Sequence, residues 1–196
     1  MIKKILKKIT SRYLKYKRIY ITTSKKRSKT SDIERWSQSN SLFSDWNERT
    51  QLLANQIQSH SKVLEFGSAK LVLKSMLPDG CEYYNSDIVS RDEDTMVVDL
   101  NKELPQFPVV DYIVFSGVLE YLFEVVNILK HLSQFTDNFV FSYATSNAYS
   151  DISNRRLNGW VSDLSENEIE RLAEELEMRF EIIGSWRKQT LYQFSK

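Results

Sequence analysis

From Lys62 onward, apolar runs of strand length alternate with stretches whose apolar residues recur every three or four positions. KVLEF, CEYYNSD, TMVVDL, VVDYIVFS and NFVFSY read as strands, while AKLVLKSML, VLEYLFEVVNILKHL and residues 165–177 read as helices. FEIIGSW and TLYQFSK follow as two closing strands with no helix between them. The pattern predicts an α/β fold, a doubly wound, mainly parallel seven-stranded sheet with helices on both faces and an antiparallel last strand.

Two helix starts carry local signals. Asp45 and Glu48 have capping-box spacing ahead of Leu52, Leu53 and Ile57, which predicts a helix entering the domain before the first strand. Ser165 and Glu168 have the same spacing, Leu164 and Ile169 are placed as a hydrophobic staple, and Ile169, Leu172, Ala173 and Leu176 form one apolar face.

The beginning of the chain has a different pattern. Ile2, Ile5, Leu6, Ile9, Tyr13, Tyr16 and Tyr20 recur at helical spacing with lysines between them, which predicts a basic amphipathic N-terminal helical extension. Ser24 to Ser31 reads as a polar, mobile linker, so the chain divides into residues 1–30 and a domain over 31–196. Charge divides in the same place. Residues 1–30 hold 12 Lys/Arg and no acid, and the remainder holds 15 Lys/Arg against all 26 Asp/Glu, a net −11. Such a helix suits an anionic membrane surface, the helix's own domain, or another subunit; nucleic acid is disfavoured because the body is acidic. The expected place is the cytoplasm, with peripheral attachment to the inner face of the membrane: no run approaches the roughly 20 apolar residues of a membrane span, and the one cysteine, Cys81, fits a reducing compartment.

Ligands of open α/β sheets bind beyond the carboxyl ends of the strands. The first strand offers Glu65, Gly67, Ser68 and Ala69 there, the second Asp87 and Ile88, the third Asp99 and Leu100, the fourth Ser116 and Gly117. Ionised carboxylates only accept hydrogen bonds, so Glu65, Asp87 and Asp99 suit a ligand rich in hydroxyl and amino donors and would repel a polyphosphate. Dinucleotide sites need several glycines for the backbone to close on a pyrophosphate, and Ala69 and Leu71 stand where they would fall. A phosphate-free nucleoside such as S-adenosylmethionine tolerates that change. Singly, each residue also has a plain structural reading, Gly67 as a turn and Asp87 or Asp99 as caps.

Over Lys62 to Ser142 the chain resembles the class I S-adenosylmethionine-dependent methyltransferases: VLEFGSA is similar to their first motif, YYNSDI to the second, MVVDLN to the third and DYIVFSGVLEYL to the fourth. The resemblance implies a Rossmann-like fold and S-adenosyl-L-methionine as cofactor, without a metal. It places Glu65 and Gly67 to Ala69 along the methionine part, Asp87 with Ile88 at the ribose hydroxyls, Asp99 and Leu100 around the adenine, and Ser116 and Gly117 beneath the methionine moiety. Ala69 and Leu71 depart from the family's glycine loop, and Tyr121 stands where many relatives carry histidine.

A hydroxyl acceptor needs a general base, whereas a carboxylate or neutral amine does not. His60 and His131 fall toward the far edge of the sheet, which leaves Tyr121 and Tyr143 as candidates for a hydrogen-bonding or base role. The segment after NFVFSY mixes groups able to bind sugars or anions, so Asn147, Tyr149, Arg155, Arg156 and Trp160 are the expected acceptor-binding residues; several relatives have an arginine followed by Gly-Trp, as in RRLNGW. The expected function is methyl transfer to a small-molecule or saccharide acceptor. The alternative is a non-catalytic binding or regulatory domain of the same fold.

Overall fold

The computed structural model describes the backbone of residues 2–196 and the side chains of residues 9–196. Seven strands form one sheet: β1 (Lys62–Phe66), β2 (Glu82–Asp87), β3 (Met96–Val97), β4 (Tyr112–Phe115), β5 (Asn138–Tyr143), β6 (Arg179–Trp186) and β7 (Gln189–Ser195). Their order is β3-β2-β1-β4-β5-β7-β6. The first five pair parallel, and β7 runs antiparallel to both β5 and β6. Strand order reverses at β1, which lies between β2 and β4, and the crevice of a doubly wound sheet opens at that point.

Among the described residues, six α-helices accompany the sheet: α1 (Ile2–Ser28), α2 (Ile33–Trp36), α3 (Asn47–Ala54), α4 (Val125–Leu132), α5 (Ile152–Asn158) and α6 (Glu166–Glu175). Alternation along the strands gives each face its own core. Leu64, Ile113, Phe115 and Phe139 pack with Ile128 and Leu129 of α4 and Ile169 and Leu172 of α6. Val63, Val114 and Val140 face the other way and pack with Leu53 and Ala54 of α3. The Ser165–Glu168 capping box is formed at the start of α6.

Three local expectations are corrected. Asp45 and Glu48 do not cap α3: Trp46 is its N-cap, Asp45 pairs with Arg187 at 2.6 Å, and Glu48 accepts from the Trp186 indole at 2.9 Å. AKLVLKSML forms only a single 3-10 turn at Leu73–Ser75, because Ala69 (φ 48°) and Leu71 (φ 57°) adopt the left-handed conformation and stop a helix from starting. Ser24 to Ser31 is not a free linker. Helix α1 continues to Ser28, and Lys25, Lys26 and Lys29 pair with Asp32, Asp163 and Glu124. The side chains of Ile2 to Lys8, part of the expected amphipathic pattern, lie outside the described residues.

Candidate functional site

A cleft opens at the carboxyl ends of β1, β2 and β4, walled on its outer side by the end of α1 and by residues 30–50. Its floor begins with Glu65, buried at the end of β1, which accepts a 2.5 Å hydrogen bond from the Tyr83 hydroxyl on β2. Burial pushes the Glu65 carboxyl up to about 8; the Tyr83 bond opposes the rise and the neighbouring Asp87 adds to it. The group is therefore a neutral acid at pH below that value.

The turn after β1 keeps a glycine-loop conformation with one glycine. Gly67, Ala69 and Leu71 all have positive φ (70°, 48° and 57°). Only the first is forced by contact: a Cβ on Gly67 would lie 2.4 Å from Val118 Cγ2. The loop is tied to β2 by Gly67 N donating to Ser86 O at 2.8 Å and Ala69 N donating to Asp87 Oδ2 at 2.9 Å.

Asp87 is already fully hydrogen-bonded. Oδ2 accepts from Ala69 N and from Arg91 Nε at 2.9 Å; Oδ1 accepts from Val89 N at 3.2 Å and from Arg91 Nη2 at 3.1 Å. A carboxylate has about four acceptor positions, so ribose hydroxyls can reach Asp87 only if Arg91 withdraws. Ile88, next in sequence, lines the cleft beside it.

Asp99 contrasts with it. Oδ1 accepts from Ser31 Oγ at 2.7 Å and Asn101 N at 3.1 Å, but Oδ2 is buried without a hydrogen-bond partner, and Lys102 Nζ stays 3.7 Å away. A buried acceptor left unpaired beside a cleft is a place for a ligand N–H. Leu100 and Val98 supply apolar surface next to it.

At the end of β4, Ser116 and Gly117 meet a residue that sequence reasoning missed. Arg49 of α3 is 5% exposed; it donates to Ser116 Oγ (3.2 Å), Ser116 O (2.9 Å) and Gln189 Oε1 (2.8 Å). Gly117 is required here, since a Cβ would lie 2.3 Å from Arg49 Nη1. Two of the five guanidinium N–H groups have no acceptor among these partners. The signal was in the sequence: Arg49 and Leu53 share a helix face at i, i+4, which places a cation on a buried face.

The acceptor side differs from expectation. Tyr121 lines the cleft, its ring edge-on to Trp36 at 4.8 Å with the Arg35 guanidinium over both rings. Burial raises the Tyr121 phenol, with Arg35 opposing, so it keeps its proton near neutrality; the hydroxyl donates to Asn158 O at 3.5 Å. Tyr143 does not reach the cleft: it is fully buried, shares a 2.8 Å hydrogen bond with Ser162 Oγ and accepts from Leu164 N, and burial pushes its phenol up to about 12.

Asn147, Tyr149, Arg155, Arg156 and Trp160 do not line the cleft either. Arg155, with no exposed surface, donates to Asp163 Oδ1, Ala144 O and Ser162 O, and Arg156 donates to Trp160 O and both Asp163 oxygens. Burial works against ionisation of Asp163, but Arg156, Lys26 and Arg155 together hold its carboxyl well below the usual range. Asn147 accepts from Glu166 N at the start of α6, and Tyr149 packs edge-on against Trp160 at 4.9 Å. The outer wall comes instead from Trp36, Leu42, Phe43 and Trp46. Neither histidine lines the cleft; His131 bonds Pro105 O at 2.8 Å, and His60 sits in the turn against Gly80.

No protein-family model and no curated protein sequence matches the chain. Solved structures do. The plantazolicin methyltransferase BpumL, determined in complex with SAH, superposes with a TM-score of 0.62 at 8% identity, over 96% of this chain and 98% of that one. The Burkholderia thailandensis 1,6-didemethyltoxoflavin-N1-methyltransferase, with its didemethyltoxoflavin and S-adenosylhomocysteine bound, gives 0.57 at 14% identity over 95% and 89%. CalO1, a methyltransferase in calicheamicin biosynthesis in SAH-bound form, gives 0.58 at 15% identity; the match spans 76% of this chain and 53% of CalO1. Strand order, the position of the cleft and these neighbours together give the chain the class I S-adenosylmethionine-dependent methyltransferase fold.

Proposed function

We propose that the protein binds S-adenosyl-L-methionine in this cleft and transfers its methyl group to a small-molecule or saccharide acceptor. The observation that carries the reading is Asp99 Oδ2, a buried carboxylate oxygen without a hydrogen-bond partner, on a residue that the resemblance sets beside the adenine. Leu100, Val98 and Ile88 offer an apolar slot for the base, and Arg49 has N–H groups left for the methionine carboxylate. The fit is incomplete at the ribose, where Arg91 holds Asp87. When bound, such a cofactor supplies a methyl group activated by a sulfonium centre. The chain's part is to hold an acceptor in line with it, near 3 Å, against the Trp36, Phe43, Trp46 and Tyr121 wall. With Tyr121 protonated and no histidine in the cleft, an amine or carboxylate acceptor is favoured over an unactivated hydroxyl.

Calorimetry with S-adenosylmethionine and S-adenosylhomocysteine tests the reading. Wild type should bind both, and Asp99→Asn should lose about ten- to a hundredfold in affinity, the worth of a charged hydrogen bond. Absence of binding at millimolar ligand would refute it. The saturated Asp87 favours the second reading, a non-catalytic domain of the same fold. Transfer of one methyl group to any acceptor, read by mass spectrometry, would exclude that alternative.

A further inference from the structure

Residues 9–18, in the N-terminal half of α1, are exposed on every side. Isolated helices shorter than about 12–15 residues are marginal in water, so this stretch relies on continuity with the turns that follow, which begin to dock at Arg18. Those turns dock through one face. Arg18 Nε donates to Leu157 O at 2.8 Å, Thr22 is buried, and Lys26 and Lys29 pair with Asp163 and Glu124. At roughly 100° per residue, Ile9, Tyr13, Tyr16 and Tyr20 fall together on the far side of the helix. They are 60%, 63%, 58% and 75% exposed.

Arg12 and Lys17 flank this stripe, one on each side, and among the described residues no ion pair reaches Arg12, Lys15 or Lys17. Residues 1–30 contain no acid at all. An apolar and aromatic stripe bordered by long cationic side chains suits the headgroup layer of an anionic bilayer: the stripe enters the acyl boundary and the lysine and arginine stems reach up to the phosphates. The same face of a second copy would bring like charge against like charge. A nucleic-acid phosphate ladder would leave Ile9 and the tyrosines in water.

We propose that the outward face of α1 seats the protein on an anionic lipid surface. Thr22 and Lys25, on the docked side of the same helix, line the cleft, so the cleft stands about one helix diameter, 10–12 Å, from that surface. If the methyltransferase reading holds, the acceptor is an amine or carboxylate carried on a lipid headgroup.

Co-sedimentation of the full chain with phosphatidylcholine vesicles, with and without phosphatidylglycerol, at low and high salt, tests the proposal. Wild type should partition onto the anionic vesicles at least about tenfold better than onto neutral ones, with salt weakening the preference. The stripe variant Ile9→Ser/Tyr13→Ser/Tyr16→Ser and the flank variant Arg12→Glu/Lys17→Glu should each lose about tenfold or more. Equal partition of wild type onto the two vesicle types would overturn the proposal whether or not the variants fold. So would wild-type dimerisation abolished by the stripe variant, or preferential uptake by a duplex oligonucleotide. Calorimetry on the same samples keeps the two ideas apart: nucleoside binding without vesicle partition sinks the membrane proposal alone, and partition without nucleoside binding sinks the cofactor reading alone.

Discussion

Glu65 and Asp87 are neighbouring acids at adjacent strand ends with different partners, a phenol at one and a guanidinium at the other. Glu65 is neutral because burial, aided by neighbouring Asp87, outweighs the Tyr83 hydrogen bond, so it retains its proton up to about 8 while an unfolded glutamate loses it near 4.5. Between those values the folded chain binds one proton more than the unfolded chain, and stability falls as pH rises, on the order of 5 kcal/mol once pH exceeds the folded value. Glu65→Gln keeps an acceptor for Tyr83 and removes the titration. Its stability relative to wild type, from urea unfolding, should therefore climb between about pH 5 and pH 9; a constant difference would show that Glu65 is ionised throughout. Asp87 is paired with Arg91, whose removal strands a buried carboxylate. Arg91→Ala should lower the melting temperature of the ligand-free protein yet tighten nucleoside binding by about three- to tenfold, since two charged acceptor positions become available. Weaker binding in that variant would mean that Arg91 orients Asp87 rather than competing for it.

At the scale of elements, the segment after β1 shows how far sequence pattern reaches. AKLVLKSML has helical spacing, but the backbone geometry of the loop wins: Ala69 and Leu71 occupy left-handed conformations that glycine would take without strain. Each costs roughly 1 kcal/mol. Ala69→Gly relieves one at the loss of a half-buried methyl, and should raise the melting temperature by about 2–4 °C for a chain of this size, read by calorimetry; a fall would show that the methyl's packing outweighs the strain. The α6 start was legible because capping is decided within four residues, and Ser165 and Glu168 do what their spacing promised. The Asp45–Glu48 spacing misled because Arg187 and Trp186, some 140 residues away, claim both side chains.

Over the whole molecule, the sheet was legible and the outer wall of the cleft was not. Parallel pairing follows from the alternation of runs, and the strand-end residues Glu65, Gly67, Asp87, Asp99 and Ser116 come together because every parallel strand ends on the same side. Arg155 and Arg156 read as acceptor-binding cations because nothing in RRLNGW shows that Asp163, beyond the quoted run, will neutralise them. Trp36, Phe43 and Trp46 reach the cleft through long-range packing that no local period encodes.

The leader helix shares its anchor with that scaffold. Asp163 receives Lys26 from α1 on the same carboxylate that fastens Arg155 and Arg156, and Ser31, just past the helix, holds Asp99. Trimming the first 30 residues would thus not yield a smaller working body. It would take Thr22, Lys25 and Thr30 from the wall of the cleft and Lys26 from Asp163, so a weak ligand affinity measured on the fragment would say little about the intact chain.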